Sequence, residues 1–251
     1  MERHLSDVQM SLEADRRRAR ELDIDDLADA IEEIGFECTR CGGCCTGFET
    51  EAGDVEPHTA TLFPDEARAL QAAAADAFDV EYDWRDVARP MPYGLDETPD
   101  GLVGETFEWA IQTDDCGDCT FYTETDGIGA CTVHEDRPLI CRTYPFSVDL
   151  DGAAAPMGDT VDRRGSVLAH ECEGLGRDIS RSDAETLARA LKRRAIREVE
   201  EAISLRDRYA PRSDRNGVIV HDSEGAKRPD GSLVACGELD DERDDSAARG
   251  A

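Results

Sequence analysis

The sequence predicts an α+β fold: a small irregular cysteine-cluster domain with a short antiparallel sheet, flanked by amphipathic helices. Three observations predict it. Apolar residues recur at helical spacing near both ends of the chain, short β-branched and aromatic runs lie between Gly101 and Ser147, and nine of the ten cysteines fall between Cys38 and Cys172. Only 39% of residues are hydrophobic and 6% aromatic against 34% charged, so the apolar core is modest and other bonds must supplement it.

Residues 1–35 read as an N-terminal helical segment. Ile24, Leu27, Ile31 and Ile34 share one stripe, Gly35 supplies the stop, and the helix leads directly into Cys38. A second helix is predicted from Pro64 to about Phe78. Pro64, Asp65 and Glu66 suit its first turn, and Leu70, Ala74 and Phe78 form its stripe. "TFEWAIQ" and "CTFYTETDGIGACTV" read as strands, with Asp126-Gly127 as a hairpin turn.

The last helix opens on a capping box of Ser182 and Glu185 and carries Leu187, Leu191, Ala195, Val199 and Ile203 at four-residue intervals, ending before Pro211. Its Arg189, Arg193, Arg194 and Arg197 alternate with glutamates, the pattern of a solvated, salt-bridged face. Four parts follow: the helical segment 1–35, a cysteine-cluster metal-binding domain 36–178, an amphipathic helix 181–210, and an acidic tail 211–251 read as disordered.

Charge restricts partners. With 58 acidic against 28 basic residues the formal net charge is -30, which excludes nucleic acid and anionic membranes as partners. Lys192 and Lys227 are the only lysines. Such a surface fits a halophilic acidic protein in a salt-rich cytoplasm, where the Debye length falls to ~3 Å at 1 M salt. "MERHLSDVQM" holds no apolar run, and no stretch reaches membrane-spanning length, so the expected location is cytoplasmic. Thiols stay reduced there, which turns clustered cysteines toward metal rather than disulfides.

The cysteines run Cys38, Cys41, Cys44, Cys45, then Cys116 and Cys119, then Cys131, Cys141 and Cys172, with Cys236 alone in the tail and read as unliganded. The C-x2-C spacing occurs three times, and it lets a tight loop turn two thiolates onto one metal or cluster edge. Gly42 and Gly43 allow the backbone to wrap closely and to aim bare N–H groups at sulfur. The fold is thus expected to be organised around metal. Cys44 beside Cys45 favours two neighbouring sites, since adjacent side chains reach two centres more easily than one small ion.

"CTRCGGCC", "CGDCTFY", "CTVHEDRPLICRTYPF" and "CEGLG" together resemble the YkgJ-type cysteine-cluster family of zinc- or iron-chelating domains, with its C-x2-C-x2-C-C signature, over Cys38 to Gly176. The resemblance implies as metal ligands Cys38, Cys41, Cys44, Cys45, Cys116, Cys119, Cys131, Cys141 and Cys172, without saying which share a site. His134 is a further candidate, either as the nitrogen ligand of a zinc site with three cysteines or as a residue that orients its loop by bonding the backbone. Arg137 and Arg142 flank Cys141 and are read as cofactor-binding cations that offset thiolate charge, with salt bridges to the acidic surface as the alternative. Tyr144, Pro145 and Phe146 read as apolar packing.

The Cys38, Cys41, Cys44 run repeats the first three spacings of a bacterial ferredoxin motif. An iron–sulfur cluster, 4Fe–4S, is therefore the expected cofactor, with zinc the alternative. The predicted function is a cytosolic iron–sulfur protein with a redox or cluster-dependent role and an unidentified protein or redox partner. Alternatives are a zinc-stapled protein-interaction module and, because similar proteins include flagellin lysine N-methylases, a cluster-dependent protein lysine N-methylase-like enzyme. No glycine-rich S-adenosylmethionine loop follows a clear strand.

Overall fold

The structure, a computed structural model, describes residues 2–50, 53–99, 101–151, 159–211 and 217–234, with the main chain alone over 2–10. The N-terminal segment forms two helices where the sequence reads one: α1 (Glu2–Glu21) and α2 (Ile24–Ile34). Asp23 divides them. Its backbone is extended, and its carboxylate accepts from the amides of Asp25 at 2.8 Å and Asp26 at 3.2 Å, so a local cap replaces the continuing helix. The predicted α2 stripe holds: Leu27, Ile31 and Ile34 are buried, and Gly35, at φ 77°, ends the helix.

Short strands then alternate with helices. β1 (Phe48–Glu49), β2 (Val55–Glu56) and β3 (Thr61–Leu62) precede α3 (Pro64–Phe78) and the one-turn α4 (Trp84–Val87). β4 (Ala88–Pro90), β5 (Leu95–Thr98), β6 (Gly101–Phe107), β7 (Trp109–Ile111), β8 (Tyr122–Thr125) and β9 (Ile128–Cys131) follow. A 3-10 turn (His134–Asp136) and α5 (Leu139–Thr143) lead to β10 (Phe146–Val148), β11 (Thr160–Arg164) and β12 (Val167–His170). The long α6 (Arg181–Arg208) and the hairpin β13 (Val218–Asp222) and β14 (Gly225–Lys227) complete the described chain.

The fold is α+β, but among the described residues its strands form five small sheets rather than one: β1-β2, β3-β7-β4, β14-β13-β6-β5, β8-β9 and β10-β12-β11. Their pairings are antiparallel except β13 with β6. "TFEWAIQ" illustrates the splitting. Glu108, at φ 67°, turns the backbone so that β6 and β7 enter different sheets. The Asp126-Gly127 turn joins β8 to β9 with both residues at positive φ, 54° and 75°, as the hairpin signal requires.

Three cores form among the described residues, the third of them from Leu12 and Ala19 of α1, Leu150, and Ala195, Val199 and Ile203 of α6. One joins Leu62, Leu70, Trp84, Trp109, Cys119, Phe121 and Val220, and Cys45, Cys131 and Cys141 pack against it. A second joins Leu27 and Ile31 of α2, Phe146 of β10, Val167 of β12 and Leu191 of α6, without a cysteine among its described members. The flanking helices therefore share a core with strands of the cysteine region. The α6 cap lies two residues earlier than predicted: Ser180 accepts from the Asp183 amide at 3.2 Å, which leaves Glu185 free to bind Arg181 and Arg189.

The tail from 211 on departs most from the sequence reading. Residues 217–234 fold, because β13 adds to β6 in parallel and Lys227 anchors the hairpin. The Lys227 ammonium, 2% exposed, lies 2.8 Å from Asp222, 2.7 Å from Glu224 and 5.3 Å from the Trp84 ring centroid. Asp222 also accepts from Trp109 Nε1 at 2.8 Å. Composition marks this stretch as polar, yet its charges neutralise one another against two tryptophans. Cys236 and the acidic run after it lie outside the described residues. Among the described residues, no helix is long and apolar enough to cross a membrane.

Candidate metal centre

α2 delivers the chain to the turn 38–45. Arg40 and Gly42 both stand at positive φ, 58° and 83°, and Cys45 N closes the turn onto Gly42 O at 2.7 Å. Gly42 is required on two counts: a Cβ there would lie 2.2 Å from Tyr122 Oη, and few side chains tolerate its φ. Tyr122 is thus the platform of the turn, held by its own hydrogen bond to Glu124 at 2.9 Å.

Hydrogen bonds draw the hairpin, the Cys116–Cys119 turn and the Cys172 segment to this turn. The β8-β9 hairpin docks through Gly129 N to Arg40 O at 2.8 Å. The Cys116–Cys119 turn docks through Cys119 N to Cys45 O at 2.8 Å and Gly47 N to Asp118 Oδ1 at 2.9 Å. Asp114 shapes that turn, since its Oδ1 accepts from the amides of Cys116 at 2.9 Å and Asp118 at 3.0 Å. The Cys172 segment docks through Glu37 N to Gly174 O at 3.0 Å, and the Cys172 sulfur accepts from Gly174 N at 3.4 Å. Cys141 rides on α5, whose first amide, Leu139 N, donates to Glu66 Oε1 at 2.8 Å. Arg194 of α6 steadies the end of α5 by donating to Thr143 Oγ1 at 3.0 Å and Phe146 O at 3.3 Å.

Five sequence segments carry the nine free cysteines among the described residues. Cys38, Cys41, Cys44 and Cys116 are exposed, Cys45, Cys131, Cys141 and Cys172 are half-buried, and Cys119 is buried. Cys44 and Cys45 are 3.8 Å apart at sulfur. The hydrogen bond with Cys45 draws the Cys44 thiol down to about 7 against the effect of burial, with help from its own amide and the Arg137 charge. The same bond, then burial, pushes Cys45 up. Burial likewise raises Cys119 to about 11 and raises Cys131, Cys141 and Cys172. Such thiols hold their protons until a soft cation replaces them, the protons going to solvent as the thiolates bind the metal. Among the described residues, no three Cys, His, Asp or Glu side chains stand at the mutual spacing of one ion's ligands.

His134, Arg137 and Arg142 lie on the loop that leads to Cys141. The His134 side chain is 57% exposed and pairs with Glu135 at 3.2 Å, so the imidazole faces solvent. Its carbonyl, not its ring, orients the loop, by accepting from Arg137 Nε at 2.9 Å. Arg137 acts electrostatically on Cys44, Cys131 and Cys141, whereas Arg142 donates to the carbonyls of Arg137 and Glu135 and staples the loop. These main-chain bonds take the place of the salt bridges that the sequence offers as the alternative. Phe146 is buried in the second core, while the Tyr144 hydroxyl donates to Glu171 O beside Cys172.

Sequence reasoning missed Tyr122, Asp114, Asp118, Glu66 and Arg194 as residues that build the site. Only the aspartates carry a local signal, the short-range pattern of side chains that cap their own turn in "DDCGDC". The others act through contacts distant in sequence.

An α+β scaffold that bears cysteines on five segments defines a cysteine-cluster, metal-chelating class of protein. A family model for CxxCxxCC, described as "putative zinc- or iron-chelating domain", matches residues 37–173, more than half of the chain. The chain belongs to this family. No curated protein and no solved structure matches it.

Proposed function

We propose that the protein binds an iron–sulfur cluster of the 4Fe–4S type through its thiolates and serves a redox or cluster-dependent role with a protein partner in the cytoplasm. The observation that carries the reading is the donor set: nine free cysteines lie within the matched domain, while the His134 side chain points to solvent. The solvent-facing His134 supports an all-sulfur donor set, which suits either a cluster or a four-cysteine zinc site. Two details favour the cluster. The Cys38, Cys41, Cys44 spacing is that of a ferredoxin run, and donors stand ready for sulfur: Gly174 N already bonds the Cys172 sulfur, and the buried Thr39 hydroxyl has no protein partner among the described residues. When bound, the cluster supplies one-electron chemistry. The chain's part is to hold thiolates, place the Arg137 charge beside them and limit water.

Anaerobic purification with iron, sulfide and zinc analysis tests this. Brown protein whose visible absorption bleaches on reduction is the expected result. Colourless protein with stoichiometric zinc overturns it in favour of the zinc-stapled interaction module.

A further inference from the structure

We propose that the sheet β3-β7-β4 carries an oxyanion-binding site on the face turned away from the tryptophan core, with the Arg89 guanidinium as its cation and the Thr61 hydroxyl as a second donor, and that its ligand is a small anion of the phosphate or carboxylate type. The site shares no residue with the metal-chelating reading above and does not depend on it.

The sheet register sets the face. Leu62, Trp109 and Pro90 stand opposite one another across the three strands, and Leu62 and Trp109 belong to the core around Phe121. Side chains alternate along a strand, so the next row, Thr61, Ala110 and Arg89, faces the other way. Ala110 is fully buried, so this second face is covered as well, and Arg89 and Thr61 on either side of it are half-buried rather than open. β3 and β4 are the edge strands, and only the Ala110 methyl stands between the guanidinium on one and the hydroxyl on the other.

Arg89 is a cation without a counter-ion. The chain has 58 acidic residues, and Arg20, Arg68, Arg164, Arg181 and Arg197 each pair with a carboxylate. Arg89 forms no ion pair among the described residues. Its Nη2 donates to His58 O at 2.7 Å, and its Nε is buried without a partner. A guanidinium has five N–H groups, so most of this one's donors are left unused, away from bulk water.

The surroundings add to the positive potential. Burial holds the Arg89 guanidinium below its ordinary range, with Tyr93 acting the other way. Burial first, and then the Arg89 charge, holds the His58 imidazole down to about 4 against the pull of Asp118. That carboxylate is already engaged, since Asp118 Oδ1 accepts from Gly47 N at 2.9 Å. A partly desolvated guanidinium with free donors and no carboxylate is the group that recognises an oxyanion, through short, charge-assisted hydrogen bonds to two oxygens.

The test is thermal unfolding of full-length protein in phosphate, acetate or chloride at one pH and matched ionic strength. Phosphate or acetate is expected to raise the melting temperature saturably above its value in chloride, and the stronger of the two names the anion type. Arg89→Gln is expected to weaken that anion by about tenfold or more, and Thr61→Val by about threefold. Because Arg89→Gln also loses the bond to His58 O and risks misfolding, the unaltered protein supplies a second readout. Phenylglyoxal modification of its arginines, mapped by mass spectrometry, should slow at Arg89 when the anion is present. No gain over chloride, an equal gain in Arg89→Gln, or no protection of Arg89 overturns the site and leaves Arg89 as a staple between β4 and the His58 segment. Neither readout uses the metal, so that failure would leave the cluster reading untouched.

Discussion

The amide of Cys119 donates to the carbonyl of Cys45 at 2.8 Å, so two cysteine turns far apart in the sequence share one main-chain bond. The bond sets both residues beside a common apolar wall. It also means that the order of the cysteine half depends on closing a long loop, which costs entropy that a metal crossing the same segments would offset.

Metal removal should therefore act regionally. After anaerobic chelation, hydrogen exchange is expected to rise in residues 37–47, 114–122 and 128–142, while α2 and α6 keep their protection because the core they share is built without cysteine. Unchanged exchange in the cysteine segments would show that the metal contributes nothing to folding.

Gly42→Ala should lower both metal content and melting temperature. The new methyl meets the Tyr122 hydroxyl, and its positive φ adds a cost of about 1–2 kcal/mol. Pairing it with Tyr122→Ala separates the two effects: the double variant should recover the part due to the clash and keep the part due to φ. Full metal occupancy in Gly42→Ala would count against a fixed turn.

Lys227→Met is expected to cost about 3–5 kcal/mol in urea unfolding, since it leaves Asp222 buried without its cation. Asp222→Asn combined with Lys227→Met should recover part of the loss, because the uncompensated charge is gone. Equal instability of the single and double variants would argue that Lys227 acts through packing on Trp84 alone.

Glu108 makes stability fall with rising pH. Burial, then the charges of Glu198 and Glu201, raises its carboxyl to about 7, above the ~4.3 of an unfolded chain. Between those values the folded state holds a proton that the unfolded state releases, so the stabilisation is fully present below the lower value and is lost as pH climbs through the upper, at up to about 1.4 kcal/mol per pH unit. Urea midpoints measured from about pH 4 to about pH 9, a span that brackets both values, should slope downward in the wild type and less so in Glu108→Gln. Parallel slopes would place the titrating group elsewhere.

What could be read without the structure was local or compositional. The bounds of α3 follow from Pro64 and its acidic first turn, the β8-β9 hairpin from Asp126-Gly127, the course of α6 from its four-residue repeat, and the family from the order and spacing of its cysteines. These signals act over a few residues, where capping, turn preference and periodicity dominate. Where local signals compete, the sequence was ambiguous: Asp23 capped a new helix inside an apparently continuous one, and Ser180 outcompeted Ser182. The folding of 217–234, the outward-facing His134 and the grouping of thiols into neighbours were decided by tertiary structure alone. Each depends on partners distant in the chain, Lys227 with Trp84, Gly129 with Arg40, Cys119 with Cys45, and no local preference encodes which distant segments will meet.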